Sequence, residues 1–123
     1  MQLYAPLNSE VTYDDSKPFA QGLARLLEKQ HPKLVVSSMK KELRKGKVFI
    51  DWSQNDRHKT TVGVYSLRAR ERPTVSTPLS WHEVEQGDSD ALVFDGGEVL
   101  DRVEESGDLF EAVLTTRQEL PEL

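Results

Sequence analysis

The sequence predicts an α+β fold: a small, mostly antiparallel sheet packed with one long helix and followed by an acidic helical tail. Three observations predict it. Apolar residues recur at helical spacing between residues 17 and 30, Val48-Phe-Ile-Asp-Trp52 has the composition of a strand, and a glycine-bounded helical pattern runs from Gly96 to Gly107. With 123 residues the chain makes one domain or half-domain, long enough to bury about two thirds of its unfolded surface.

Taken in order, Gln2–Leu7 reads as a short strand stopped by Pro6 and the polar Asn8-Ser-Glu10. Asp14-Asp-Ser16 is expected to supply a helix N-cap, with Pro18 in the first turn, where a missing N–H costs nothing. Phe19, Leu23, Leu26, Leu27 and Gln30 then form the expected buried stripe, and His31-Pro32 ends the helix. Leu34-Val-Val36 fits a strand or a turn equally. Met39 to Lys45 predicts one or two helical turns ending at Gly46. In the strand that follows, Val48, Ile50 and Trp52 share one face while Phe49 and Asp51 share the other. Thr60 to Ser66 is its expected partner, joined through the polar loop from Gln54 to Lys59. Arg68 to Arg72 forms a charged loop, and Pro73 and Pro78 bracket an extended Thr74-Val-Ser-Thr77.

Ser80-Trp-His-Glu83 is a capping box, predicting a short helix to Gln86 that stops at Gly87. The Gly96–Gly107 helix carries Val99, Leu100 and Val103. Asp108-Leu-Phe-Glu111 reads as a second capping box, before a tail expected to fray from Arg117 onward.

Cysteine is absent, which excludes disulfides, thiolate metal sites and cysteine nucleophiles. No apolar run approaches the roughly 20 residues that span a membrane, and no secretory signal pattern opens the sequence. The expectation is a cytoplasmic protein. Net charge is −5, but unevenly spread: residues 33–72 hold eleven Lys/Arg against four Asp/Glu, and residues 73–123 hold two against thirteen. A basic middle beside an acidic tail suggests a face for a polyanion; solvated surface charge is the plain alternative.

The candidate functional residues gather around Asp51. A carboxylate inside an apolar strand must be paired, hydrogen-bonded or metal-bound, or it destabilises the fold. An ion pair with a neighbouring Arg or Lys and a site role are both open. His58 and His82 have no second ligand at metal spacing and read as exposed positions; Trp52, beside Val48 and Ile50, reads as core rather than a base-stacking platform. No Ser-His-Asp arrangement, glycine-rich phosphate loop or zinc pattern is present.

Asp51-Trp-Ser-Gln-Asn, Lys59-Thr-Thr, Tyr65-Ser-Leu-Arg-Ala-Arg, Pro73-Thr-Val and Thr77-Pro-Leu-Ser-Trp, in that order and spacing, resemble the C-terminal part of the primase-like polymerase domain of bacterial ATP-dependent DNA ligase D. Gln2-Leu-Tyr-Ala-Pro-Leu7 and Met39-Lys-Lys-Glu-Leu-Arg-Lys-Gly46 fit the same family, so the resemblance runs from residue 2 to about residue 115. It implies the second half of a primase-polymerase fold and metal-dependent addition of nucleotides to DNA ends in bacterial end joining.

Residue by residue, the resemblance makes Asp51 a catalytic metal ligand for Mg²⁺ or Mn²⁺, and Arg44, Gln54 and Arg68 nucleotide contacts. Lys59 and Arg70 are expected to meet nucleic acid. The implied partners are DNA ends, nucleoside triphosphates, Ku, a ligase module and the N-terminal half of the polymerase domain. The family's Asp-x-Asp pair and Ser-Gly-Ser-Lys run are missing, so the chain is expected to begin just after them and to be inactive alone. A non-catalytic nucleic-acid or nucleotide-binding module is the alternative. Self-association of a half-domain is a third reading.

Overall fold

The computed structural model describes residues 1–123, which form two compact units. One, the α1 unit, comprises Leu7–Thr60 and Arg117–Leu123; the other, the α3 unit, comprises Met1–Pro6 and Thr61–Thr116. The class is α+β, as the sequence predicts, although the strands make two separate pairs.

The α1 unit is built on α1 (Tyr13–Gln30). Its start lies earlier than the acidic pair suggested. Thr12 is the N-cap, and its backbone N–H and hydroxyl both donate to the Asp15 carboxylate, at 3.0 and 2.7 Å. Those bonds hold the Asp15 carboxyl below its ordinary range. Pro18 consequently sits inside the helix, beyond the first turn, and removes one ladder bond there. The buried face also differs from the expected stripe. Ala24 is fully buried, whereas Leu23 and Leu26 stay 37% and 40% exposed, so α1 packs through a small residue that allows close approach. It does so against β1 (Val35–Val36) and a 3-10 turn at Trp52–Gln54.

The ambiguous run at 34–36 is a strand. β1 pairs in parallel with β2 (Val48–Phe49), with Val35 opposite Val48 and Val36 opposite Phe49. Val35 and Val36 complete the buried centre with Ala24. The predicted strand to Trp52 is therefore cut short, and its partner is β1, not residues 60–66. Two bonds end the ladder: the Trp52 N–H turns back to the Ile50 carbonyl at 3.0 Å, and its indole Nε1–H donates to the Ser37 carbonyl at 3.1 Å. The predicted turns before Gly46 are present as a single 3-10 turn, Lys41–Leu43. The C-terminal residues are tied rather than frayed. The Gln118 N–H donates to the Leu7 carbonyl at 2.8 Å, the Ser9 hydroxyl donates to the Gln118 carbonyl at 3.0 Å, and the Leu123 side chain lies over Gly22.

In the α3 unit, residues 2–6 form no strand. β3 (Leu67–Arg68) and β4 (Thr74–Val75) pair antiparallel, so the expected charged loop starts inside a strand. α2 (Trp81–Gln86) has the predicted capping box, with Glu83 N–H to Ser80 Oγ at 3.2 Å and Ser80 N–H to Glu83 Oε1 at 2.9 Å. α3 (Gly96–Ser106) is N-capped by Asp95, which accepts from the Glu98 N–H at 2.9 Å, and it buries Val99. α4 is reduced to Ala112–Thr115. The second capping box does not form because Asp108 is engaged otherwise: its carboxylate accepts from the Phe110 N–H at 2.9 Å and from the Tyr65 hydroxyl at 2.6 Å.

Candidate nucleotide-binding site

Arg44 and Phe49 meet because the chain reverses between them. Lys47 N–H donates to the Arg44 carbonyl at 3.0 Å, and Gly46 sits in the left-handed region at φ +70°, as the third residue of such a turn requires. The reversal lays the Arg44 guanidinium over the Phe49 ring, 4.0 Å from its centroid. Arg44 Nη2 donates to the Met39 carbonyl at 2.6 Å, while its buried Nε–H has no acceptor. No carboxylate pairs with this arginine among the ion pairs of the chain. The guanidinium is therefore held by one carbonyl and by the Phe49 ring, without a carboxylate partner.

Asp51 lies two residues beyond Phe49, as the residue preceding the Trp52–Gln54 turn. It is exposed, not enclosed in an apolar strand face, because the ladder has ended. No cation pairs with it; the Ser53 hydroxyl donates to Oδ1 at 2.6 Å. The same hydroxyl lies 3.9 Å from Met39 Sδ, but it has one proton, and the nearer carboxylate is the stronger acceptor. Gln54 is half-buried and donates through Nε2 to the Thr60 carbonyl at 2.7 Å, closing the loop between them. Lys59 is exposed at its end.

The turn is anchored to α1 at both ends. Lys17 pairs with Asp56, Asn55 Nδ2 donates to Ser16 Oγ at 3.2 Å, and Arg57 reaches Asp14 at 3.3 Å. The Lys17 bond, helped by the His58 N–H, brings the Asp56 carboxyl down to about 2. At the other end Glu28 accepts from the Ser37 N–H, which lowers its own pKa, and the Ser37 carbonyl receives the Trp52 indole. A rigid helix thus fixes the direction in which Asp51 and Gln54 leave it.

Arg44, Asp51, Gln54 and Lys59 belong to the α1 unit, whereas Arg68 and Arg70 belong to the α3 unit and are exposed. Sequence reasoning missed Phe49, Ser53, Lys17 and Asp56 as partners. The Arg44–Phe49 pair had a weak signal in the glycine between them; Lys17 and Asp56, 39 positions apart, had none. His58 and His82 are exposed, and Trp52 is half-buried with its indole N–H satisfied.

No three His, Cys, Asp or Glu side chains gather closely enough to ligate an ion, and Asp51 stands with a serine as its partner. A two-metal site, with ions about 3.5–4 Å apart, needs several carboxylates together.

The family model for the LigD primase-polymerase domain matches residues 1–110. The chain belongs to this family. It is 47% identical over 109 residues to the multifunctional non-homologous end joining protein LigD of Mycolicibacterium smegmatis, covering 89% of this chain and 14% of that protein. It is 35% identical over 108 residues to the bifunctional non-homologous end joining protein LigD of Bacillus subtilis, covering 87% of this chain and 18% of that one. Among solved structures, the polymerase domain of Mycobacterium tuberculosis ligase D in complex with DNA matches with a TM-score of 0.82 at 42% identity, over 92% of this chain and 39% of that domain. The chain thus spans well under half of the LigD polymerase domain and a small fraction of the whole relatives.

Proposed function

We propose that this chain is the nucleotide-handling portion of a LigD-type polymerase domain, acting at DNA ends in end joining. The observation that carries the reading is the structural match to a polymerase domain in complex with DNA. The arrangement around β2 supports it, since an unpaired guanidinium and an exposed carboxylate emerge from one short segment.

In this reading Arg44, Gln54 and Arg68 contact the incoming nucleoside triphosphate. A fixed guanidinium offers paired N–H donors to phosphate and keeps its charge at all working pH values. Lys59 and Arg70 meet the nucleic-acid backbone as solvated point charges. Asp51 supplies one oxygen ligand towards a Mg²⁺ or Mn²⁺ centre, ions that favour hard carboxylate oxygens. The remaining carboxylates belong to the part of the domain that this chain does not span, with Ku and the ligase module as further partners. Nucleotide addition by these 123 residues alone is therefore not expected.

The test is primer extension with the chain alone and with it joined to the remainder of a LigD polymerase domain. The expected result is extension only by the joined protein, falling to background in Asp51→Ala while DNA binding stays within about twofold. Full metal-dependent extension by the isolated chain would refute the division of ligands. A non-catalytic binding module is the second reading, favoured by the absence of an assembled metal-ligand cluster. It predicts DNA or nucleotide binding with no extension even when joined.

A further inference from the structure

We infer that Phe49 is a positioning residue for nucleotide binding: its ring is the platform that holds Arg44 ready for phosphate. The inference rests on the proposed role of Arg44 and extends it to a residue that touches no ligand itself.

Three observations support it. Phe49 is fixed by the ladder on either side of it, through Val48 N–H to the Leu34 carbonyl at 2.7 Å and Ile50 N–H to the Val36 carbonyl at 3.0 Å. Its backbone is therefore held in place, and the ring projects from a fixed point of the ladder toward the arginine. The guanidinium lies 4.0 Å from the ring centroid, within cation–π range. Finally, Arg44 lacks the partners that would hold an arginine for structural reasons alone. It has one carbonyl acceptor, no carboxylate, and a buried Nε–H left without an acceptor. A buried unpaired donor is costly, and a stacked ring compensates for part of that while leaving the positive charge available to an anion. A carboxylate in the place of the ring would hold the guanidinium more tightly and cancel its charge. An aliphatic residue would leave the charge but release the geometry.

The experiment measures ATP binding to the full chain by isothermal titration calorimetry at low salt, in wild type, Arg44→Ala, Phe49→Met, Phe49→Leu and Phe49→Tyr. The far-ultraviolet circular dichroism of each variant is compared with wild type. The expected pattern is weakening of about three- to tenfold in Phe49→Met and Phe49→Leu, at least as large a loss in Arg44→Ala, and affinity within twofold of wild type in Phe49→Tyr, which keeps the aromatic face. Loss of affinity in the aliphatic variants at unchanged circular dichroism separates the stack from a merely structural role, which would lower both. In parallel, the Arg44 Nε–H resonance of the ¹⁵N-labelled wild-type chain is expected upfield of the other arginines, displaced by the ring.

The outcomes separate the two levels of the argument. Absence of ATP binding by wild type, or an unaffected Arg44→Ala, overturns the nucleotide reading of Arg44 and this inference with it. Weakening in Arg44→Ala with Phe49→Met and Phe49→Leu unchanged overturns the inference alone. If neither aliphatic variant folds, an undisplaced Arg44 Nε–H resonance in wild type overturns it.

Discussion

Asp51 takes its hydrogen bond from Ser53 rather than from a cation, and that follows from where the ladder ends. A period of two carried past Phe49 would bury this carboxylate; the turn at Trp52 exposes it instead. The residue was legible as a candidate because an acid in an apolar run is unusual. Its exposure was not legible, since it depends on an indole reaching a carbonyl 15 positions back. Tyr65 shows the same limit in the other unit. Its surroundings in the sequence are those of a strand, yet it sits at φ +63° with its hydroxyl on Asp108 at 2.6 Å. Burial first, and that carboxylate second, push its phenol up to about 12. Tyr65→Phe is expected to lower stability by about 0.5–1.5 kcal/mol in urea denaturation, the usual net worth of one such bond, leaving Asp108 to the Phe110 N–H.

At the scale of elements, the turn between the Lys41–Leu43 segment and β2 and the clamp between α2 and α3 offer the sharpest tests. A Cβ on Gly46 would meet nothing within 4 Å, so Gly46→Ala isolates backbone strain at φ +70°. It is expected to cost about 1–2 kcal/mol in chemical denaturation and to loosen the Arg44–Phe49 stack. In the α3 unit, Arg102 donates to both Glu83 oxygens, at 2.6 and 2.9 Å, and to the Pro78 carbonyl at 3.0 Å, while lying 4.3 Å over Phe94. The sequence disclosed the capping role of Glu83 from local spacing but not this second role, which joins two helices through residues 19 positions apart.

The Arg102 bonds bring the Glu83 carboxyl from 4.5 down to about 2. Because the folded value is the lower one, the contribution is present above about pH 5 and is lost as pH falls toward 2. Arg102→Ala is expected to cost about 1.5–3 kcal/mol at pH 7. The lower end is favoured because the two side chains remain 21% and 28% exposed. The wild-type advantage should shrink between pH 5 and pH 2 in thermal melts of both proteins.

For the whole molecule, charge distribution and family membership carry the argument. The excess of eleven basic over four acidic residues in 33–72 supports a polyanion partner, and the related polymerase domain is a complex with DNA. Binding of a DNA duplex should fall linearly with the logarithm of salt, and Lys59→Ala and Arg70→Ala should each reduce that slope by about 1 if each meets a phosphate. An unchanged slope in both would remove them from the interface.

The sequence by itself determined the family, the α+β class, the α2 capping box and the candidate residues, because those depend on residue identity and near spacing. Tertiary structure decided which strands pair, which face of α1 is buried, what anchors the Asp51 turn and what holds Arg44. Most of these depend on groups brought together from distant positions, and the Arg44–Phe49 contact on the sense of a turn, where local periodicity carries no information.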